Sequence, residues 1–226
     1  MIHDPIVIAI DGPSGAGKGT IARYLSVKYS WPHVDSGLLY RYGGLFLMKE
    51  EGDKGKQFSL ESVKKVCDAL NVLTPDDLRS SEQELRMERT AHAASHLAVE
   101  PEYRQAINQW MHHQIALMLK HHGGVIVDGR DIGTVVFPHA QVKIFVTADE
   151  DVRCERRVKE TGENQQKVFE SMISRDQRDS FRKNAPLNRA SDAFLLDTTN
   201  LSIDEACLHA SEYVTIRCPQ VRVHAL

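Results

Sequence analysis

Short apolar runs recur along the chain, each ending in a polar or glycine-rich turn. Residues 5–10 (PIVIAI) are apolar and β-branched and stop at Asp11 before a glycine cluster, the pattern of a buried parallel strand feeding a loop. Residues 125–128 (VIVD) and 142–146 (VKIFV) read the same way, and residues 193–196 give a last strand. A further short strand is expected to end at Asp35, with Ser36 capping a helix that runs to about Met48. Helical spacing predicts helices over 21–29, 149–159, 165–182 and 202–216, with Thr161 to Asn164 as a hinge between the second and third of these. A helix over 102–122 keeps Ile107, Met111, Ile115 and Met118 on one face. Residues 52–101 are more polar and acidic; they read as an insertion of two helices separated by Thr74-Pro75-Asp76-Asp77. Strands alternating with helices predict an α/β fold, a parallel sheet with helices on both faces.

Composition narrows the partners. Against 31 Asp and Glu stand 28 Lys and Arg, a net charge of −3 on 226 residues, so the chain lacks the global positive field that suits nucleic acid. No run approaches the ~20 apolar residues of a membrane span, and Met1 to Asp4 lack a charged-then-apolar signal region. A cytoplasmic protein with neither a membrane nor a nucleic-acid partner is expected. Cys67, Cys154, Cys207 and Cys218 are scattered without a C-x-x-C pair and are read as reduced thiols. The pairs His112-His113 and His121-His122 lie nine residues apart, or 2.5 helical turns, which points them to opposite faces and favours solvated side chains over a metal site.

The chemistry starts at Gly12-Pro13-Ser14-Gly15-Ala16-Gly17-Lys18-Gly19-Thr20. This satisfies G-x-x-x-x-G-K but sets Gly19 where the common form has Ser or Thr, so that the hydroxyl moves to Thr20. Glycines here let successive N–H groups turn inward as a nest for phosphate oxygens at the start of the next helix, and Lys18 adds a mobile positive charge. Strand, loop and helix occur in the order that the motif needs, which makes the sheet of the P-loop NTPase type. The strand ending at Asp128 supplies a carboxylate that, with Thr20, would stand near a magnesium ion.

Arg175, Asp179 and Arg182 are spaced i, i+4, i+7 and share one helix face. Residues 153–189 hold ten Lys or Arg against six Asp or Glu, a local positive excess on an acidic chain. Spacing alone is equally met by a solvated helix laced with weak ion pairs. Interleaved Asp176 and Asp179 argue against a nucleic-acid stripe. Moving a phosphoryl group between two polyanions demands spread positive charge and exclusion of water, which an arginine-bearing lid over 153–182 would provide.

Four blocks in order resemble bacterial cytidylate kinases: residues 12–20, Asp35-Ser36-Gly37 with Tyr40-Arg41, Asp128-Gly129-Arg130-Asp131 with Gly133-Thr134, and Arg175-Asp176 with Arg178-Asp179 and Arg182. The resemblance covers nearly the whole chain. It implies a core of residues 1–51, 102–152 and 183–226, an acceptor-binding insertion of 52–101 and a lid of 153–182. It implies transfer of the γ-phosphoryl group of ATP, with Mg2+, to CMP or dCMP, by a monomer. Residues 12–20 would wrap the ATP phosphates, with Arg157 on the donor side. Ser36, Ser95, Arg104 and Asp131 would lie near the acceptor's base; Arg41, Arg130 and Arg182 would grip its phosphate; Arg175 and Asp179 would stand near the transferring group. A carboxylate with a guanidinium at its edge would read cytosine, whose N4 amino group donates where uracil presents O4. One departure is visible: Leu70 to Leu85 is short and lacks the alternating pattern of the family's β-rich insertion, so the acceptor region reads as trimmed. A kinase for UMP or another small acceptor, and a nucleotide-binding regulatory ATPase, are the alternatives.

Overall fold

The computed structural model describes residues 5–52 and 58–221. In chain order its elements begin with β1 (Ile6–Asp11), α1 (Lys18–Tyr29), β2 (His33–Asp35), α2 (Ser36–Glu51), α3 (Leu60–Val72), α4 (Pro75–Ser80), α5 (Glu82–Leu85), α6 (Glu88–Leu97) and α7 (Pro101–Met118). After these come β3 (Gly124–Gly129), a π-helical turn (Ile132–Val136), β4 (Val142–Thr147), α8 (Glu150–Thr161), α9 (Gln165–Phe181), β5 (Phe194–Asp197) and α10 (Ile203–Arg217). They form two compact units, Met1–Asp35 with Ala116–Leu226, and Ser36–Ile115.

The first unit is built on a five-stranded sheet in the order β2-β3-β1-β4-β5, with every pair parallel. Strand β1 is central, which is why its sequence is apolar without alternation. Ile6, Ile8 and Ile10 pack with Ile21 and Leu25 of α1 and with Ala206, Ala210 and Val214 of α10, while Val7 and Ala9 are buried on the opposite face. The chain leaves β1 toward β2 at one edge, and β3 and β4 lie on either side of β1. The carboxyl ends of β1 and β3 therefore form the switch point where α/β sheets open a crevice. Asp11 stands beside Gly129 there, and Asp35 beside Asp128.

The second unit is helical among its described residues. Its central helix, α2, approaches its neighbours at Gly43-Gly44. A Cβ at Gly43 would lie 2.3 Å from the Tyr103 hydroxyl, and one at Gly44 would lie 2.9 Å from the Ala94 nitrogen and 3.1 Å from the Ala93 Cβ. The Tyr103 hydroxyl donates into the carbonyls of α2, at 3.1 Å from Leu39 and 3.0 Å from Tyr40, and burial pushes its pKa well above 10.

Several boundaries correct the sequence reading. Residues 58–101 form four helices, not two. Thr74 to Asp77 is a helix start, because Thr74 caps Asp77 N while the Asp77 carboxylate accepts from Thr74 N and Pro75 occupies the first turn. Ser36 is the first residue of α2, not a cap, since β2 runs directly into it. Helix α7 ends at Met118, so His121 and His122 fall beyond it and the opposite-face argument does not apply to them. Asp128 and Gly129 end β3, and a π turn follows at Ile132–Val136. Gly162, at φ 69°, closes α8 and Asn164 caps α9, a compact hinge at the expected place. Among the described residues no helix is long and apolar enough to cross a membrane.

The closeness of α2 to α6 has a measurable consequence. Gly44→Val should lose about 2 kcal/mol of stability through overpacking against backbone that cannot retreat. Urea unfolding checks this, and a wild-type midpoint would contradict it.

Candidate active site

The glycine loop leaves β1 and folds back with Gly12 at φ 148°, Gly15 at 73° and Gly17 at 96°. A Cβ on Gly12 would sit 2.0 Å from the Val146 carbonyl oxygen, so the loop's first residue must be glycine for it to lie against β4. Gly17 starts α1 without any side-chain cap, and a Cβ there would meet nothing within 4 Å. That combination is an open cradle of N–H groups at a helix amino terminus, fitted to an anion. Lys18 is buried and donates from Nζ to the Pro13 carbonyl at 2.7 Å. Burial, and then the charge of Arg130, push its pKa from 10.5 down to about 7.

Other elements hold the loop from outside. Arg153, at the root of α8, donates to the carbonyls of Ser14 (3.0 Å) and Ala148 (3.0 Å) and pairs with Asp176 of α9. Asp176 in turn accepts from Ser14 N at 3.4 Å, so both backbone polar groups of Ser14 are engaged by one ion pair. After β5, the Thr198 hydroxyl lies 3.1 Å from the carbonyls of Ala16 and Thr147 and accepts from Arg156.

Around this cradle, two further arginines are met by carboxylates. Arg130 donates to Asp179 at 2.9 Å, and Arg182 lies 3.3 Å from Asp131 and 3.8 Å from Asp179. Burial works against the charge on Arg130, but Asp179 and Asp176 hold its pKa above the usual value. Arg175 and Asp179 are both buried on one face of α9, as the spacing predicted; Arg182 is the cap just past the helix. Arg157 pairs with Glu160 at 3.0 Å on the same helix. Asp128 accepts from Nε2 of His33 at 2.6 Å. Burial opposes its charge, yet that hydrogen bond and the nearby cations keep its carboxyl below the usual range.

The oxygen donors here, the Thr20 hydroxyl and the Asp128 carboxylate, suit a hard divalent cation. Among the described residues no cluster of three or more His, Cys, Asp or Glu could hold an ion by itself. One hydroxyl and one carboxylate are donors of the kind that fit magnesium held by one or two protein oxygens together with substrate phosphates.

In the second unit, Ser36 and Arg41 lie on α2, Ser95 on α6 and Arg104 on α7; Ser36, Ser95 and Arg104 are buried. The Arg104 guanidinium lies 5.5 Å from the Tyr40 ring centre and donates to the Ala98 carbonyl at 3.4 Å.

Sequence reasoning missed Asp11, His33, Arg153 and Asp176 as parts of this arrangement. Asp11 was visible as the polar end of an apolar strand. Arg153 had no signal, since its spacing does not distinguish it from Arg156 and Arg157. His33 and Asp176 acquire meaning only through partners distant in sequence.

The comparisons with known proteins agree with this geometry. The family model for cytidylate kinase matches residues 8–216. A cytidylate kinase of Granulibacter bethesdensis is 39% identical over 220 residues, 95% of this chain and 99% of the relative. One of Xanthobacter autotrophicus is 41% identical over 217 residues, 94% and 98% of the two chains. The crystal structure of TT1252 from Thermus thermophilus shares the fold, with a TM-score of 0.55 at 16% identity over 95% of this chain and 98% of that one. With the phosphate cradle, the switch-point carboxylates and the arginine helix in place, the chain belongs to the cytidylate kinase family.

Proposed function

We propose that the chain moves the γ-phosphoryl group of ATP to the phosphate of CMP or dCMP, giving ADP and CDP or dCDP. The bond from the γ-phosphorus to its bridging oxygen breaks, and one to an oxygen of the acceptor phosphate forms. That acceptor oxygen is already an anion, so no general base is required. The observation that carries the reading is the gathering of cations at the mouth of the glycine loop: Lys18, held by the Pro13 carbonyl, and Arg130, Arg153 and Arg182, each set by a carboxylate. Such a site lowers a barrier by aligning two phosphates and offsetting their charge.

The residues divide as follows. Gly12 to Thr20 bind the donor phosphates, with Lys18 toward the transferring group and Arg157 on the donor side. Arg41, Arg130 and Arg182 hold the acceptor phosphate. Arg175 and Asp179 stand near the transferring group, where the carboxylate orients Arg130. Ser36, Ser95, Arg104 and Asp131 bind the base, and the Asp131 carboxylate prefers the N4 amino group of cytosine to the O4 of uracil. Thr20 and Asp128 would hold magnesium, which when bound supplies charge neutralisation across the donor phosphates. The reaction suits a cytoplasmic monomer, and neither a membrane nor nucleic acid enters it.

Lys18→Met tests the assignment. CMP-dependent ADP formation should fall about 10³-fold or more, by analogy with other cations on a transferring phosphoryl group. Circular dichroism should be unchanged, because a buried charge is replaced by an apolar chain of similar length. Turnover near wild type would overturn the role of the loop.

The lowered Lys18 pKa sets a second expectation. In the unliganded protein the neutral amine gains population as pH rises above about 7, whereas bound phosphates favour the ammonium. At pH 8 ATP binding should therefore take up a proton. Affinity should weaken by up to about tenfold per pH unit above 7 until the bound-state pKa is reached. Calorimetry in buffers of different ionisation enthalpy reads the uptake directly. No buffer dependence at pH 8, or uptake undiminished in Lys18→Met, would contradict it.

A further inference from the structure

The turn after β3 carries Arg130 and Asp131 and winds at once into the π turn Ile132–Val136. The first N–H groups of any helical turn lack partners within it, and a leading aspartate ordinarily supplies them from its own side chain. Asp131 occupies that leading position, yet its side chain makes no cap hydrogen bond; one carboxylate oxygen faces the Arg182 guanidinium at 3.3 Å. The cap comes instead from another strand. At the end of β1, Asp11 accepts from Ile132 N at 2.8 Å through Oδ1 and from Gly133 N at 2.7 Å through Oδ2. Asp11 is only 5% exposed, and burial pushes its pKa up to about 6 against the pull of these two bonds, so the carboxylate is kept there at a cost. Gly133 completes the fit: a Cβ there would stand 3.3 Å from Asp11 Oδ2 and 3.2 Å from the Lys143 side chain.

We infer that Asp11 is a positioning residue for acceptor recognition: by capping the π turn in place of Asp131, it leaves the Asp131 carboxylate to face Arg182 and the acceptor. The inference rests on the proposed role of Asp131 in reading cytosine. Without Asp11, the Ile132 and Gly133 N–H groups would be orphaned, and the residue at the cap position whose side chain such a turn ordinarily uses is Asp131 itself. A carboxylate drawn in to cap its own turn is lost to the base and to Arg182. Asp11 also adjoins Gly12, so a simpler role in supporting the phosphate loop makes a different forecast: an effect on ATP at least as large as that on CMP.

Asp11→Asn separates the two roles. The amide is nearly isosteric; it can accept one N–H but turns its own NH2 toward the other. Turnover with CMP, UMP and ATP is measured for wild type, Asp11→Asn, Asp131→Asn and the double variant. The expected result is a CMP KM raised about tenfold, a CMP-over-UMP preference reduced by a similar factor, and an ATP KM within about twofold of wild type. In the Asp131→Asn background the same change should shift the CMP KM by less than about twofold, because both substitutions remove one function. Gly133→Ala, which crowds the cap without touching the phosphate loop, should give the same pattern at about threefold and serves if Asp11→Asn does not fold. Equal rises in the two KM values, an unchanged CMP KM, or additive effects in the double variant would overturn the inference. A wild-type chain inactive on CMP would overturn the underlying reading of the reaction, an outcome distinct from an active wild type with a silent Asp11→Asn.

Discussion

Two polyanions cannot be brought into contact unless positive charge is waiting for them, and buried positive charge is itself unstable. The active site is organised around that conflict. Burial, with the charge of Arg130, brings the Lys18 pKa down to about 7, and burial works against the charge on Arg130 as well. The chain's answer is to hold its guanidinium groups in advance with carboxylates, Arg130 on Asp179, Arg153 on Asp176 and Arg182 on Asp131. Removing one partner of such a pair would strand the other, so the pairs fix geometry as much as they offset charge. On the proposed reaction, an arriving phosphate would meet cations already oriented, the form of catalysis that positioning and electrostatics can supply without a proton-transfer group.

The sheet delivers these groups to one place. Parallel strands all point the same way, so β1 and β3 end side by side, with the glycine loop following one and Arg130-Asp131 following the other. The loop is then locked at separate points: Gly12 against the Val146 carbonyl, Ser14 between Arg153 and Asp176, and Ala16 beneath Thr198. Helices α8 and α9 are joined to the loop through Ser14 itself, so the arginine helix is anchored directly to the phosphate cradle.

Much of this was legible in the sequence because it is local. The glycine loop, the apolar strands and the α8–α9 hinge each depend on a few consecutive residues, and each was found within a few positions of where it was expected. The helices of residues 58–101 were undercounted because Thr74-Pro75-Asp76-Asp77 carries the composition of a break and the geometry of a start. The π turn after Arg130 has no periodic signature of its own, being held from outside by Asp11. The missed partners share a cause: His33 meets Asp128 across 95 residues and Asp11 meets Gly133 across 122, and hydrophobic periodicity says nothing about such pairs. The spacing of Arg175 and Asp179 was read correctly as one face, whereas Arg182 falls just past the helix; only the fold shows that Asp179 meets Arg130 and Arg182 meets Asp131 after β3, where spacing alone allowed ordinary surface ion pairs.

The central claim is that the gathered charge serves transfer between nucleotides and not hydrolysis. Phosphorus NMR of the protein mixed with ATP and CMP follows every phosphate at once. Signals of ADP and CDP should grow together in a one-to-one ratio with no inorganic phosphate beyond a no-enzyme control. Inorganic phosphate appearing in place of CDP, at a rate indifferent to CMP, would contradict the account.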